Sequence, residues 1–352
     1  MTRRTIAVVA PGPAVAGGQS VQAAALAQAL RADGHAVDFL PTDPVPALAR
    51  RIPVVRTVVN QLLYLPRLAR LARARTALIF SASYWSFVLA PLPALVAARL
   101  LGARAVLVYH SGEADDHLTR WRLFLRPCLA LADEIVVPSE FLRDVFARHG
   151  YAAIVIPNVV DLSAFAYRER VPLQAKLLSA RALEAPYGVE NTVRAFAVLK
   201  RRRPEAVLTV AGGGSELPRL RALAESLGLS EIRFLGAVRP ESMPRLLDEA
   251  DLFVNSSVVD NQPVSLLEAF AAGTPVVSTP AGGIARMVRD GVNGRLVPAG
   301  DPGAMAEAID DLLKRPDGGQ SLARRAREEV ERHAWPRVRP LWNAVAGRGG
   351  GA

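Results

Sequence analysis

The order of short apolar runs and longer helical patterns decides the architecture of this chain. In its first half, strand-length apolar runs fall at Thr5–Ala10, Ala36–Leu40, Ala77–Ser81, Ala105–Tyr109 and Glu134–Pro138. A helical pattern follows the first run, from about Ser20 to Ala32, and ends at Asp33-Gly34. Apolar runs separated by helices predict parallel strands buried on both faces. Between Val155 and Pro172 the periodicity lapses and two prolines occur, which fits a domain boundary. The alternation then restarts, with strands at Lys176–Ser179, Ala206–Val210, Ile232–Leu235, Asp251–Asn255 and Pro275–Ser278. Helices are predicted near Val189–Arg202, Glu216–Leu227, Pro240–Glu249, Val264–Ala272, Pro302–Lys314 and Ser321–Trp335.

The chain therefore reads as α/β, with two doubly wound parallel-sheet, Rossmann-like domains. Its 352 residues suffice for two cores. The expected division is 1–165 and 166–335, with helix 321–335 packing back on the first domain and 336–352 as a tail. Two such domains in tandem leave a cleft, and open α/β sheets bind ligands beyond the carboxyl ends of their strands. The apolar start of the chain breaks at Pro11-Gly12-Pro13, so a buried first strand is expected there rather than a secretion signal. The run from Trp85 to Gly102 is interrupted by Pro91, Pro93 and Arg99 and is expected to be a packed helix, not a membrane span.

One cysteine, Cys128, excludes an internal disulfide or a cysteine metal cluster and fits a reducing cytoplasm. It is expected as a small buried residue on a helix. The net charge of +10 is almost all arginine, a bias too diffuse to specify a nucleic-acid partner, and none is expected. Leu62, Leu65, Leu68 and Leu71 recur at helical spacing among Arg67, Arg70, Arg73 and Arg75. That pattern admits either a helix packed on the sheet with its arginines in water or an interfacial helix on an anionic membrane surface.

Several loops sit where chemistry would be placed. Pro11 to Ser20 joins a strand to a helix, and Gly17 and Gly18 would let backbone N–H groups approach an anion. Gly18-Gln19 stand where a triphosphate loop needs lysine and a hydroxyl residue. His110 ends a strand, followed by Glu113, Asp115, Asp116 and His117, whose spacing matches no trusted metal pattern. Arg181 follows the strand Lys176–Ser179, where a guanidinium can hold a diphosphate by paired hydrogen bonds. Gly212-Gly213-Gly214 makes a turn without the dinucleotide-binding spacing.

The richest segment runs from Ser256 to Pro275. Asp260 and Glu268 straddle the start of a helix, whose exposed N–H groups attract phosphate or sugar oxygens. Ser265-Leu-Leu-Glu268 is equally a capping-box pattern, which would make Glu268 a local helix device. Both readings stand on the sequence.

Taken in order along nearly the whole chain, these segments resemble glycosyltransferase family 4. The resemblance is carried by Gly17-Gly18, Gly34-His35-Ala-Val, Pro157-Asn158-Val-Val-Asp161, Phe234-Leu235-Gly236, Gly282-Gly283-Ile284 and Asp290-Gly291-Val-Asn293-Gly294. Its most specific part is Asp260 to Pro275, normally a pair of glutamates separated by seven residues, a spacing kept by Asp260 and Glu268. The resemblance implies a GT-B fold, a nucleotide-diphosphate sugar as donor co-substrate, retention of anomeric configuration, and no metal or other cofactor. It implies that Glu268 binds the donor ribose, that Asp260 contacts the donor sugar, and that Asn261, Gln262, Pro263, Val264 and Ser265 offer backbone to sugar and phosphate. Arg181 and the Gly17-Gly18 loop would meet the diphosphate, Val238 the base, and His110 the transferred sugar. The acceptor would be a glycan, a lipid-linked sugar of the cell envelope or a small molecule.

Two departures matter. Tyr187-Gly188 stand where the family usually has lysine before glycine, and Asp260 is one methylene shorter than the usual glutamate. A binding protein without turnover and a sugar-nucleotide epimerase are the rival readings.

Overall fold

The computed structural model describes residues 4–12, 17–45, 53–317 and 319–347. The chain forms two compact units, Met1–Val159 with Val338–Ala352, and Val160–Arg337. Each is built on a parallel six-stranded sheet.

In the first unit the strands are β1 (Thr5–Ala10), β2 (Ala36–Pro41), β3 (Thr76–Ser81), β4 (Arg104–Tyr109), β5 (Glu134–Val137) and β6 (Ile154–Val155). Their spatial order is β2-β1-β3-β4-β5-β6. Ala7, Val9, Ala77, Ile79, Leu107 and Val137 face one buried layer, which takes in helices Pro91–Leu100, Arg122–Leu129 and Glu140–Arg148. Ile6, Val8, Leu78, Val106 and Val136, the alternate residues, are equally buried. That two-sided burial is why these strands read as unbroken apolar runs.

The second unit holds β7 (Lys176–Ala180), β8 (Val207–Ala211), β9 (Ile232–Gly236), β10 (Leu252–Asn255), β11 (Val276–Ser278) and β12 (Arg295–Leu296), ordered β12-β11-β10-β7-β8-β9. Alternation is explicit here. Leu177, Leu252 and Val254 join a core with helices Val189–Lys200 and Pro302–Lys314. Leu178 and Phe253 join the opposite core, with helices Met243–Glu249, Val264–Ala271 and Gln320–Val330. Period-two side-chain direction sends neighbours to opposite faces.

Several expectations need correcting. The divide falls at Val159–Val160, not 165/166, because Val160 and Phe165 are buried in the second core. The segment that belongs to the first unit again is helix Trp335–Gly347 from Val338 on, not 321–335. Helix Gln320–Val330 stays in the second unit, where Ala326 and Val330 are buried. Arg4 and Arg104 of the first unit donate to the Asn343 and Val345 carbonyls, holding the last helix there. The run Trp85–Gly102 is two helices, Tyr84–Leu89 and Pro91–Leu100, broken where Pro91 follows Ala90. Leu62, Leu65, Leu68 and Leu71 do not share a face. Helix Pro53–Tyr64 gives way to a 3-10 helix, Leu65–Arg73, in which Leu68 and Leu71 are buried, while Leu62 and Leu65 are exposed.

Arg170 lies in the segment read as a linker and is almost wholly buried. Its guanidinium donates to the carbonyls of Arg168, Leu247, Ala250 and Ala272 at 2.8 Å each. Burial lowers its pKa only to about 10, so the charge persists and caps two helix C-termini.

Candidate functional site

The winding of the second sheet reverses between β7 and β10, and the ligand crevice of such sheets opens beyond the carboxyl ends there. Arg181 leaves β7 at that point, and the loop ending in Asp260 leaves β10. The Arg181 N–H donates to the Ala211 carbonyl, which fixes its backbone to β8. Its Nη2 lies 2.6 Å from Asp260 Oδ2, and both side chains are largely buried. The pair is close but misaligned for a hydrogen bond. Arg181 Nε and Asp260 Oδ2 are both buried without one. The guanidinium carbon also stands 4.2 Å over the ring of Tyr187, a cation–π contact. Tyr187 thus occupies the place of the expected lysine by steadying Arg181 instead of adding a second cation.

Close backbone approach shapes the rest of this crevice. Gly188 has φ +55°, and a Cβ there would stand 2.5 Å from the Ser256 carbonyl. The Ser256 hydroxyl is shared between the Gly188 carbonyl and Thr192, at 2.8 Å each. The N–H groups of Val258 and Val259 both donate to the Pro186 carbonyl. A Cβ on Gly212 or Gly214 would overlap the Arg181 or Leu183 carbonyl, so the Gly212–Gly214 turn needs glycine. A Cβ on Gly213 would sit 3.2 Å from Ala237, beside Val238, which is half-buried against the same unit's core. The turns after β7, β8 and β9 therefore lie edge to edge.

Helix Val264–Ala271 is capped by Pro263 with no side-chain hydrogen bond. The helix starts two residues too early for a capping box: Ser265 is inside the first turn, and its hydroxyl is buried without a partner. Glu268 is therefore not a helix device. Its carboxyl is buried, no partner is shown for it among the described residues, and burial pushes its pKa up to about 8. Asn261, Gln262 and Pro263 form the approach to this helix. The Asn261 N–H donates to Asp260 Oδ1 at 2.9 Å, and a Cβ on Gly283 would overlap the Asn261 carbonyl. Arg181, Asp260, Ser265 and Glu268 all belong to this unit.

Gly17, Gly18 and His110 belong to the other unit. Gly17 and Gly18 are exposed at the head of helix Gly18–Ala32, where a Cβ on Gly17 meets open space. His110 ends β4 and stacks on Phe80, with ring centroids 5.3 Å apart. Burial lowers its pKa to about 4, so it is a neutral hydrogen-bonding group at pH 7.

The first sheet reverses between β1 and β3. A cavity of about 490 Å³ opens there, lined among others by Pro11, Gln19, Arg56, Asn60, Gln61 and Phe80. Gln19 Nε2 and Asn60 Oδ1 are buried and unpaired. Sequence reasoning missed Asn60 and Gln61. The available signal was a pair of amides inside the apolar helical stretch 53–64.

His117 is structural. Its Nε2 accepts the Tyr84 N–H at 3.0 Å, which leaves Nδ1 protonated toward the Tyr109 hydroxyl at 2.9 Å. Burial lowers its pKa to about 4. Asp115 pairs with Arg148 and His149, and Asp116 with Tyr84 and Arg120. Cys128 is buried on a helix, its thiol donating to the Phe124 carbonyl.

Two family models divide the chain. The one described as Glycosyltransferase Family 4 matches residues 16–164, and the one described as Glycosyl transferases group 1 matches 168–331. The chain belongs to glycosyltransferase family 4. This family-4 chain is 34% identical over 174 residues to D-inositol 3-phosphate glycosyltransferase of Corynebacterium urealyticum, an alignment covering 47% of the chain. It spans 41% of that relative's length. Its fold matches sucrose-phosphate synthase from Thermosynechococcus elongatus with a TM-score of 0.80 at 22% identity, covering 98% of this chain and 99% of that one. It also matches Anabaena HepE in complex with UDP-glucose, with a TM-score of 0.74 at 18% identity, covering 98% and 100%. The fold is the expected GT-B type, built from two Rossmann-like domains.

Proposed function

We propose that this chain is a retaining glycosyltransferase that moves a hexose from a nucleotide-diphosphate sugar to a hydroxyl of a glycan, lipid-linked or small-molecule acceptor. The observation that carries this reading is Glu268, a buried carboxyl with no partner shown, on the helix at the switch point of the second sheet. A group that costly to bury is kept when a ligand supplies its hydrogen bonds. The vicinal hydroxyls of a ribose suit it, since a carboxyl near its pKa both accepts and donates.

Arg181 supplies the positive charge for the diphosphate, and Tyr187 and Asp260 hold it in place before the donor arrives. Preorganised charge of this kind acts where the leaving group becomes negative. The glycosidic C–O bond breaks toward the diphosphate, which keeps the electron pair. The acceptor hydroxyl bonds to the same face of the sugar, and its proton passes to a leaving phosphate oxygen. Asp260 is the hydrogen-bonding group for sugar hydroxyls in the second unit, and neutral His110 offers such a group in the first. The cavity at the first switch point, with its unpaired amide atoms, is suited to a hydroxylated acceptor.

UDP-glucose is the first donor to try, because HepE is described in complex with it. Mass spectrometry of the enzyme with UDP-glucose and related donors, with and without acceptors, should show hydrolysis or transfer that Glu268→Ala reduces by at least about 100-fold. An anomeric configuration matching the donor in the product supports retention. A second reading, binding without turnover, draws on Arg181 being already paired with Asp260. Donor binding with no product under any condition favours it, and conversion of the donor into an isomer without acceptor favours an epimerase.

A further inference from the structure

Helix Pro53–Tyr64 buries Tyr64 in the first core but leaves four aliphatic residues exposed. Thr57, Asn60 and Gln61 line the cavity of the first unit, whereas Val54, Val55, Val58 and Leu62 project into solvent. An ordinary surface helix turns its whole apolar stripe to the core. Val54, Val58 and Leu62 are spaced at i, i+4 and i+8 and are 74%, 53% and 69% exposed, and Leu65 continues the exposure past the helix end. Gln61 Nε2 donates to the Leu89 carbonyl, which sets helix Tyr84–Leu89 alongside, with Trp85 also 68% exposed. An apolar face of this extent has a partner.

Charge identifies the partner. Residues 44–112 contain nine arginines and no aspartate or glutamate. Among the described residues Arg67, Arg73 and Arg75 have no carboxylate pair, while Arg70 pairs with Asp38. A second copy of this chain would bring one strongly basic segment against another. An anionic lipid surface meets both features, taking valine and leucine at the headgroup boundary and arginine at the phosphates. No helix among the described residues is long and apolar enough to cross a membrane.

We infer that the outer face of helix Pro53–Tyr64, extended by Leu65, docks on the surface of an anionic lipid bilayer. The inference stands apart from the transferase reading, because docking needs no sugar donor.

The test is flotation of the full chain with phosphatidylcholine vesicles and with equimolar phosphatidylcholine–phosphatidylglycerol vesicles, at about 0.1 M and about 0.5 M salt. The protein should float with the anionic vesicles only, and less at the higher salt. Val58→Asp/Leu62→Asp should lower partitioning by about tenfold or more, and Arg67→Gln/Arg73→Gln should lower it with little remaining salt dependence. Both Val58 and Leu62 are exposed, so the melting temperature of the first variant should match wild type. Wild-type protein left in the aqueous fraction overturns the inference. So does equal flotation of the Asp variant, or a concentration-dependent dimer that the same substitutions abolish. A melting shift with UDP, read in the same preparations, reports on the transferase reading separately.

Discussion

Glu268 ties the chemistry of the donor site to the stability of the fold, and pH separates the two. Its folded pKa is raised to about 8 from an ordinary 4.5, so the folded protein holds a proton that the unfolded chain releases. The sign follows from linkage: stability is full below about pH 4.5 and declines as pH rises toward 8. Glu268→Gln should therefore melt at the same temperature as wild type near pH 4.5 and progressively higher above it, the gap levelling beyond about pH 8. The same variant should bind the donor more weakly. Calorimetry across that range checks the first claim, and a gap that does not grow with pH contradicts it. At Arg181 the ring of Tyr187 is the contact to probe. Tyr187→Phe keeps the ring and should leave donor turnover within about twofold, whereas Tyr187→Ala should lower it by about tenfold. Steady-state rates on UDP-glucose distinguish them. The positions of Arg181 and Asp260 after strands were legible in the sequence, whereas the joint role of Arg181, Asp260 and Glu268 was implied only by the family resemblance. What Tyr187 does was not legible, because a stacking contact leaves no trace in spacing. The choice between a capping box and a ligand group at Glu268 needed the helix start, a matter of two residues.

Longer elements announced themselves, and short ones did not. Helix Pro302–Lys314 and strand Thr5–Ala10 match their expected bounds because apolar period and caps coincide there. The two-residue strands Ile154–Val155 and Arg295–Leu296 are too short to carry a period. Arg170 was invisible for a different reason: four backbone carbonyls satisfy it, and carbonyls have no sequence signature. The loop elements at the donor site depend on close approach. Gly188→Ala meets both a left-handed backbone and the Ser256 carbonyl, and should cost about 1–3 kcal/mol, read as a lower denaturation midpoint. The helix that carries His117 depends on a neutral imidazole. Burial holds its pKa near 4, so its contribution is complete above about pH 6.5 and is lost as pH falls through 4. His117→Leu removes both hydrogen bonds and should cost about 2–4 kcal/mol at pH 7 while making the first unit less sensitive to acid. Urea denaturation at pH 7 and pH 5 checks both statements.

The molecule as a whole repeats one plan, each unit with its own sheet reversal, and the proposed function assigns a ligand to each. That duplication was readable from the restarting alternation alone. The placement of the last helix was not, because contacts by Arg4 and Arg104, hundreds of residues away, decide it. A donor bound at the second crevice should slow hydrogen exchange in segments 181–188 and 256–268. The central claim is that this crevice holds a nucleoside diphosphate through Arg181 and Glu268. The direct measurement is the melting temperature of the wild type and of Glu268→Ala across the common nucleoside diphosphates at saturating concentration. The account predicts a rise of several degrees for wild type with at least one of them, UDP first, and little or none for the variant. No rise with any nucleoside diphosphate, or the same rise in both proteins, contradicts it.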